Sequence, residues 1–117
     1  MRKVSWVLLI AMTISVSHAQ TVKVVGIGTA PCATFLTDIL WKPASEGEYI
    51  SWAQGYMSGI LMRAPPGEDE NLDLISSAFP VRMQLTFFRD YCAKYPKQTY
   101  ADAAESLYAR LREFAKR

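Results

Sequence analysis

The sequence predicts an all-α fold: a small four-helix domain with one disulfide, which follows an N-terminal signal peptide. Three observations support this prediction. Apolar residues recur at helical spacing in four segments. Prolines and cap-forming residues mark where those segments begin and end. The chain has 2 cysteines, and 50% of its 117 residues are hydrophobic, which is enough for one modest core.

Residues 1–19 are typical of a secretory signal peptide. Arg2 and Lys3 form a short basic region, and residues 4–16 are an apolar run that is too short to span a bilayer. Small residues then precede the predicted cleavage point after Ala19. We therefore predict cleavage and a periplasmic location. The alternative is that the segment is retained as a membrane anchor.

The charge balance argues against several classes of partner and chemistry. The chain carries 13 Lys+Arg and 11 Asp+Glu, and Arg2 and Lys3 supply this excess. After cleavage the domain is close to neutral, so it has no electrostatic reason to bind nucleic acid or an anionic membrane. The 1 histidine, His18, leaves with the signal peptide. Histidine-based catalytic triads, histidine metal sites and an imidazole pH switch are thereby excluded.

The two cysteines are Cys32 and Cys92. In the oxidising compartment to which a signal peptide leads, such a pair is best explained as one disulfide. It would close a loop of about 60 residues, which chain-entropy models credit with at most about 4 kcal/mol. Two thiolates without histidine are too few for a usual zinc site. We predict no metal and no cofactor.

Residues 20–30 are predicted to form an extended arm before the helical domain, residues 31–117. The arm begins with the alternating, β-branched stretch TVKVV, which has no evident partner strand. Gly26 and Gly28 then favour a flexible turn.

The first helix is predicted over residues 31–41. Thr29 is placed as its N-cap, and Pro31 lies in the first turn, where a missing N–H costs nothing. Pro43 ends the helix. The apolar stripe at i, i+3, i+4 and i+7 consists of Cys32, Phe35, Leu36 and Ile39.

Three further helices are predicted from caps and prolines. The second begins at a capping box, Ser45 to Glu48, and runs to about Arg63. The third opens at Phe79-Pro80 and ends before Pro96, and the fourth follows a weaker cap signal from Thr99 to Asp102. The apolar stripe of the third helix is Val81, Leu85, Phe88 and Cys92. That of the fourth is Tyr100, Ala103, Leu107, Leu111 and Phe114.

The second helix contains two glycines beside large aromatic residues, in the stretch SWAQGYMSG. On a helical wheel, Gly55 and Gly59 adjoin a stripe that contains Tyr49, Trp52 and Tyr56. Each glycine costs about 1 kcal/mol relative to alanine inside a helix. We interpret these five residues as a core aromatic seam in which the glycines let a neighbouring helix approach closely. The alternative is a binding groove floored by glycine and walled by aromatic rings.

No catalytic constellation is evident, so we predict that the protein is not an enzyme. Glu46 and Glu48 are explained by helix capping and the helix dipole, and the serines have no histidine partner. The acidic loop Glu68, Asp69 and Glu70 is the segment that we predict to contact a partner. The alternative is that this loop is an ordinary solvated connection.

Four motifs together resemble a family of small exported bacterial helical proteins. They are Cys32 at the start of a helix, Trp52-x-x-Gly55-Tyr56-x-x-Gly59, Tyr91-Cys92-x-x-x-Pro96 and Asp102-Ala-Ala-x-x-Leu107-Tyr108-x-x-Leu111. The best-known members of that family are the Rap/Tai immunity proteins, which neutralise peptidoglycan amidases delivered by type VI secretion. The pattern is also similar, more loosely, to the HdeA-type periplasmic acid chaperones. The resemblance implies a disulfide that joins the first and third helices.

The sequence therefore leads to two hypotheses about function. The first is a periplasmic protein-binding module, in particular an immunity or inhibitor protein against a cell-wall-degrading amidase effector. The second is an acid-stress chaperone, which needs a dimer that opens as carboxylates become protonated. A structural subunit of an envelope complex is a further alternative. The expected partner is another protein, and a homodimer stays open.

Overall fold

A computed structural model of the chain describes residues 23–116. Four α-helices follow a short 3-10 turn, Ile27–Thr29. They are α1, Cys32–Trp41; α2, Ser45–Arg63; α3, Val81–Lys94; and α4, Tyr100–Ala115. The described residues contain no strand, so the all-α prediction is confirmed. The predicted signal peptide, residues 1–19, lies outside the described residues.

The four helices enclose one core whose centre is a cluster of aromatic rings. Within it α3 packs against α1 and α4, and α2 packs against α4 and α1. The ring of Tyr100 from α4 lies 4.8 Å from Phe35, 4.9 Å from Tyr49 and 4.4 Å from Phe88, measured between centroids. These four rings come from four different helices, so their burial ties every helix to the same centre.

A disulfide joins Cys32 at the start of α1 to Cys92 near the end of α3. Both cysteines are fully buried, and their Cα atoms lie 4.7 Å apart. The predicted disulfide between the first and third helices is therefore confirmed.

The start of α1 is held by backbone hydrogen bonds from the loop between α3 and α4. The amide of Cys32 donates to the Gln98 carbonyl at 2.7 Å, and the amide of Ala33 donates to the Pro96 carbonyl at 3.0 Å. These bonds satisfy amides that a helix cannot pair internally, so α1 needs no side-chain cap. The prediction that Thr29 caps α1 is wrong, because its hydroxyl donates instead to the Gly26 carbonyl at 2.9 Å.

The two predicted capping boxes have opposite outcomes. At α4 the box forms: the Asp102 amide donates to Thr99 Oγ1 at 3.1 Å, and the Thr99 amide donates to Asp102 Oδ2 at 2.8 Å. At α2 the box from Ser45 to Glu48 does not form, because Ala44 holds the cap position in a helical conformation and no side chain caps the helix. A preceding turn, residues 42–44, supplies carbonyl acceptors to the first amides instead.

The predicted arm, residues 20–30, is extended over only part of its described length. Ile27–Thr29 form the 3-10 turn, and Gly28 is buried. The sequence predicted a turn at Gly26 and Gly28, and the turn found there packs against α2 and α4.

Candidate functional site

The predicted core seam is only partly interior. Tyr49 is buried, Trp52 and Tyr56 are half-buried, and Gly55 and Gly59 are exposed. A Cβ atom added at either glycine would meet nothing within 4 Å, so no helix packs over them. That part of the prediction is wrong. The reason is rotational: the buried face of α2 also contains Ile50, Ala53 and Met57, and this turns both glycines toward solvent.

The close approach that glycine permits occurs at Gly26 and Gly28 instead. A Cβ atom at Gly28 would lie 2.1 to 2.3 Å from three carbons of the Trp52 ring. Gly26 has φ +95°, a conformation that L side chains rarely adopt, and also faces that ring. The indole N–H of Trp52 donates to the Val25 carbonyl at 3.1 Å. The Gly-x-Gly spacing of Gly26 and Gly28 was the sequence signal for this close approach. The sequence does not show that the contacting side chain is Trp52 of α2.

Beyond Trp52, the aromatic stack continues to Tyr56. The two rings lie 4.9 Å apart with planes 14° from parallel. The Tyr56 hydroxyl donates to Glu105 Oε1 of α4 at 2.6 Å. Burial, and then this hydrogen bond, raise the pKa of Tyr56 to about 12. Trp52 and Tyr56 therefore both use their polar atoms inside the molecule.

An open groove of about 490 Å³ lies beside this stack. It is lined by Lys23, Val24, Val25, Ser51, Trp52, Gly55 and Tyr56. The groove is the structural counterpart of the alternative interpretation of the seam. Since the indole and phenol donors are already paired, the groove offers mainly ring faces and backbone to a ligand.

The predicted contact loop is folded back onto α4 through its central residue. Both oxygens of the Asp69 carboxylate are occupied at 2.8 Å, one by the Tyr108 hydroxyl and the other by Arg112 Nε. The Asp69 side chain is only 12% exposed. Burial, and then the bond from its hydroxyl to Asp69, raise the pKa of Tyr108 to about 12. Glu68 and Glu70 are exposed, so of the three predicted residues these two remain accessible.

A second groove, of about 380 Å³, lies between α3 and α4. Its lining consists of Phe79, Arg82, Met83, Thr86, Phe87, Asp90 and Arg110. The apolar members are Phe79, Met83 and Phe87, and the charged members lie on exposed positions. We call this feature the α3–α4 groove.

The groove is continuous with a row of large side chains on α3 and just after its end. The row consists of Met83, Phe87 and Tyr91 on α3 and of Tyr95, which directly follows the helix. These residues lie at intervals of four, and we call them the α3 ridge. Ring centroids are 6.2 Å apart between Phe87 and Tyr91, and 4.8 Å apart between Tyr91 and Tyr95. Met83 is 41% exposed and Tyr95 is 42% exposed. Methionine and aromatic residues are enriched in protein interfaces, so this ridge has the composition of a docking surface.

The groove is held in shape by a buried polar residue. Gln84 lies fully inside the molecule, and its Nε2 donates to the carbonyls of Leu74 at 2.7 Å and Phe79 at 3.1 Å. These bonds fix the segment that precedes α3 and place Phe79 in the groove. Sequence reasoning missed the ridge because it assigned only the apolar stripe of α3 that faces the core.

Within residues 23–116, no three acidic or cysteine side chains converge in a way that could hold a metal ion. No helix in that part of the chain is long and apolar enough to cross a membrane.

No protein-family model, curated protein or solved structure matches this chain. The resemblance to the Rap/Tai immunity proteins therefore stays a prediction.

Proposed function

We propose that this protein is a periplasmic protein-binding module that engages its partner through the α3–α4 groove. The observation that carries the proposal is the α3 ridge, in which the exposed Met83 and Tyr95 flank the half-buried Phe87 and Tyr91; Met83 and Phe87 line the open groove. The buried disulfide and the predicted signal peptide favour an oxidising export compartment. No residue in the proposed site is assigned a catalytic role.

The proposed binding site can be tested with a photo-crosslinking amino acid. It is introduced at position 83 on the ridge and, as a matched control, at position 62. Both positions hold an exposed methionine, 41% exposed at Met83 and 83% exposed at Met62. We expect a discrete crosslinked protein from position 83 in intact cells and none of that species from position 62. Equal capture from both positions, or no capture from position 83, would refute the site.

Among protein-binding functions, the resemblance to the Rap/Tai immunity proteins favours inhibition of a cell-wall-degrading amidase. Purified protein should then slow the release of peptides from peptidoglycan by the captured enzyme. Phe87→Asp should abolish this inhibition, because it places a charge on the apolar floor of the groove. A captured partner without amidase activity would remove the inhibitor role and leave a subunit of an envelope complex as the better description.

A second candidate function, an acid-stress chaperone, is favoured by one separate observation. Carboxylates connect different elements of the fold: Asp38 accepts from Tyr49 at 2.6 Å, Glu105 accepts from Tyr56 at 2.6 Å, and Glu46 pairs with Arg89. Hydrogen bonds to a charged carboxylate are roughly twice as strong as hydrogen bonds between neutral groups, so these contacts depend on the carboxylate charge. Light scattering of an aggregating client at about pH 2–3 tests this function. Unchanged client aggregation would exclude it.

A further inference from the structure

The arginines of α3 and α4 fall into two groups. Arg89 pairs with Glu46, and Arg112 pairs with Asp69 at 2.8 Å. Arg82 and Arg110, in contrast, have no carboxylate oxygen within 4.0 Å among residues 23–116.

Of the four arginines on α3 and α4, the two without an ion pair in the described chain line the groove. Arg110 also lies over the Phe114 ring, with its Cζ atom 5.3 Å from the ring centroid. Arg82 comes from α3 and Arg110 from α4, so cations stand on both walls. Both side chains are exposed. The one acidic residue of the lining is Asp90. Lys94 adds a further cation beside the ridge, with its Nζ atom 5.4 Å from the centroid of the Tyr95 ring. The apolar floor is therefore flanked by an excess of positive charge.

The dimensions of the ridge suit a helical partner. From Met83 to Tyr91 the ridge extends about 12 Å, at ~1.5 Å per residue. A partner helix that presents apolar residues at i, i+4 and i+7 covers about the same length. No strand edge is available in the described part of the chain, so addition of an extended peptide to a sheet has no template there.

We infer that the α3–α4 groove takes an amphipathic acidic helix of the partner protein. The apolar face of that helix packs on Phe79, Met83 and Phe87, and its aspartate or glutamate side chains pair with Arg82 and Arg110. This inference rests on the proposed function, because it specifies which segment of the partner enters the same groove.

The experiment uses the crosslinker at position 83 in the full chain, followed by mass spectrometry of the crosslinked peptide. The partner peptide should come from a helix that carries acidic residues beside its apolar face. Arg82→Glu together with Arg110→Glu should lower the crosslinking yield at least tenfold. Arg63→Glu is the matched control, because Arg63 is an exposed arginine on α2 and lies outside the groove. Thermal unfolding of each variant verifies that the fold is retained.

The outcomes separate this inference from the proposed function. Absence of any crosslink at position 83 overturns both. A crosslink to a loop, a proline-rich segment or a basic helix overturns the acidic-helix inference and leaves the protein-binding function standing. A crosslink to the exposed Leu40 and Trp41 of a second copy also overturns it, in favour of self-association. A yield that is unchanged by the double charge reversal overturns the pairing with Arg82 and Arg110.

Discussion

Gly28→Ala should destabilise the protein because it forces a methyl group into the Trp52 ring. The new Cβ atom would lie 2.1 to 2.3 Å from three ring carbons, whereas carbon atoms in favourable contact lie about 3.5–4.0 Å apart. The ring cannot simply retreat, because Tyr56 stacks beside it and is itself bonded to Glu105. The 3-10 turn must therefore lift, or the indole must rotate away.

The magnitude follows from three contributions. Overpacking costs about 1–3 kcal/mol. Loss of the hydrogen bond from the Trp52 indole to Val25 costs about 1 kcal/mol. The lower entropy of the unfolded alanine chain offsets about 0.4–1 kcal/mol. The free energy of unfolding should therefore fall by about 1–3.5 kcal/mol, which corresponds to a decrease in Tm of roughly 4–28 °C for a domain of this size.

Gly55→Ala and Gly59→Ala are the matched controls, and they should act in the opposite direction. Both glycines lie inside α2, and an added methyl group meets no atom within 4 Å. Each alanine should stabilise the helix by about 0.5–1 kcal/mol.

Guanidinium denaturation of the disulfide-intact protein, followed by circular dichroism, measures these changes. In a Trp41→Phe background of the chain without residues 1–19, which contain Trp6, the fluorescence of Trp52 reports the local rearrangement. Trp41 is 83% exposed, so its replacement should be mild. The reasoning fails if Gly28→Ala is as stable as the wild type. It also fails if Gly55→Ala is as damaging as Gly28→Ala.

Three further predictions concern the crosslinks and the ionisable groups. Reducing the disulfide between Cys32 and Cys92, which are 60 residues apart in sequence, should lower the free energy of unfolding by up to about 4 kcal/mol. Urea denaturation with and without reductant measures this decrease. Equal denaturation midpoints under the two conditions would contradict it. Asp69→Asn and Tyr108→Phe should each cost about 1 kcal/mol, and a double-mutant cycle should show that the two losses are coupled rather than additive. The pKa values of Tyr56 and Tyr108 are raised to about 12 from 10.0. The stabilising contribution of these two tyrosines is therefore complete below pH 10.0 and is lost as pH rises through about 12. An alkaline unfolding series with phenolate absorbance should show this loss, and a flat stability profile over that range would contradict it.

The ends of α1 and α3 and the start of α4 were predictable because they depend on local chemistry. Pro43 and Pro96 stop helices wherever the rest of the chain lies, and the box from Thr99 to Asp102 needs only residues three apart. The buried cysteine pair was predictable from composition, since two cysteines allow only one pairing.

The candidate site was less predictable because it depends on contacts between distant segments. The glycines of α2 were assigned to the wrong side, since a helical wheel fixes relative angles but not which angle faces the core. The sequence predicts that Asp69 is an exposed surface charge. In the fold its carboxylate accepts hydrogen bonds from Tyr108 and Arg112 of α4, which are distant in sequence. The α3 ridge has an apolar pattern similar to that of a core stripe, so sequence alone does not reveal that Met83 stays exposed.

The backbone bonds from Cys32 and Ala33 to the segment around Pro96 have a consequence for how the molecule is made. The carbonyls that complete the first turn of α1, and the sulfur that bonds to Cys32, are synthesised about 60 residues later than α1 itself. We therefore expect α1 to have no lasting structure until α3 and the segment that follows it have been synthesised. A premature stop codon before α3 would leave a reactive thiol without its partner, and a stop just before α4 would remove the helix that supplies Tyr100 to the core. Quality-control proteases should degrade both fragments, because neither can assemble a shortened version of the fold.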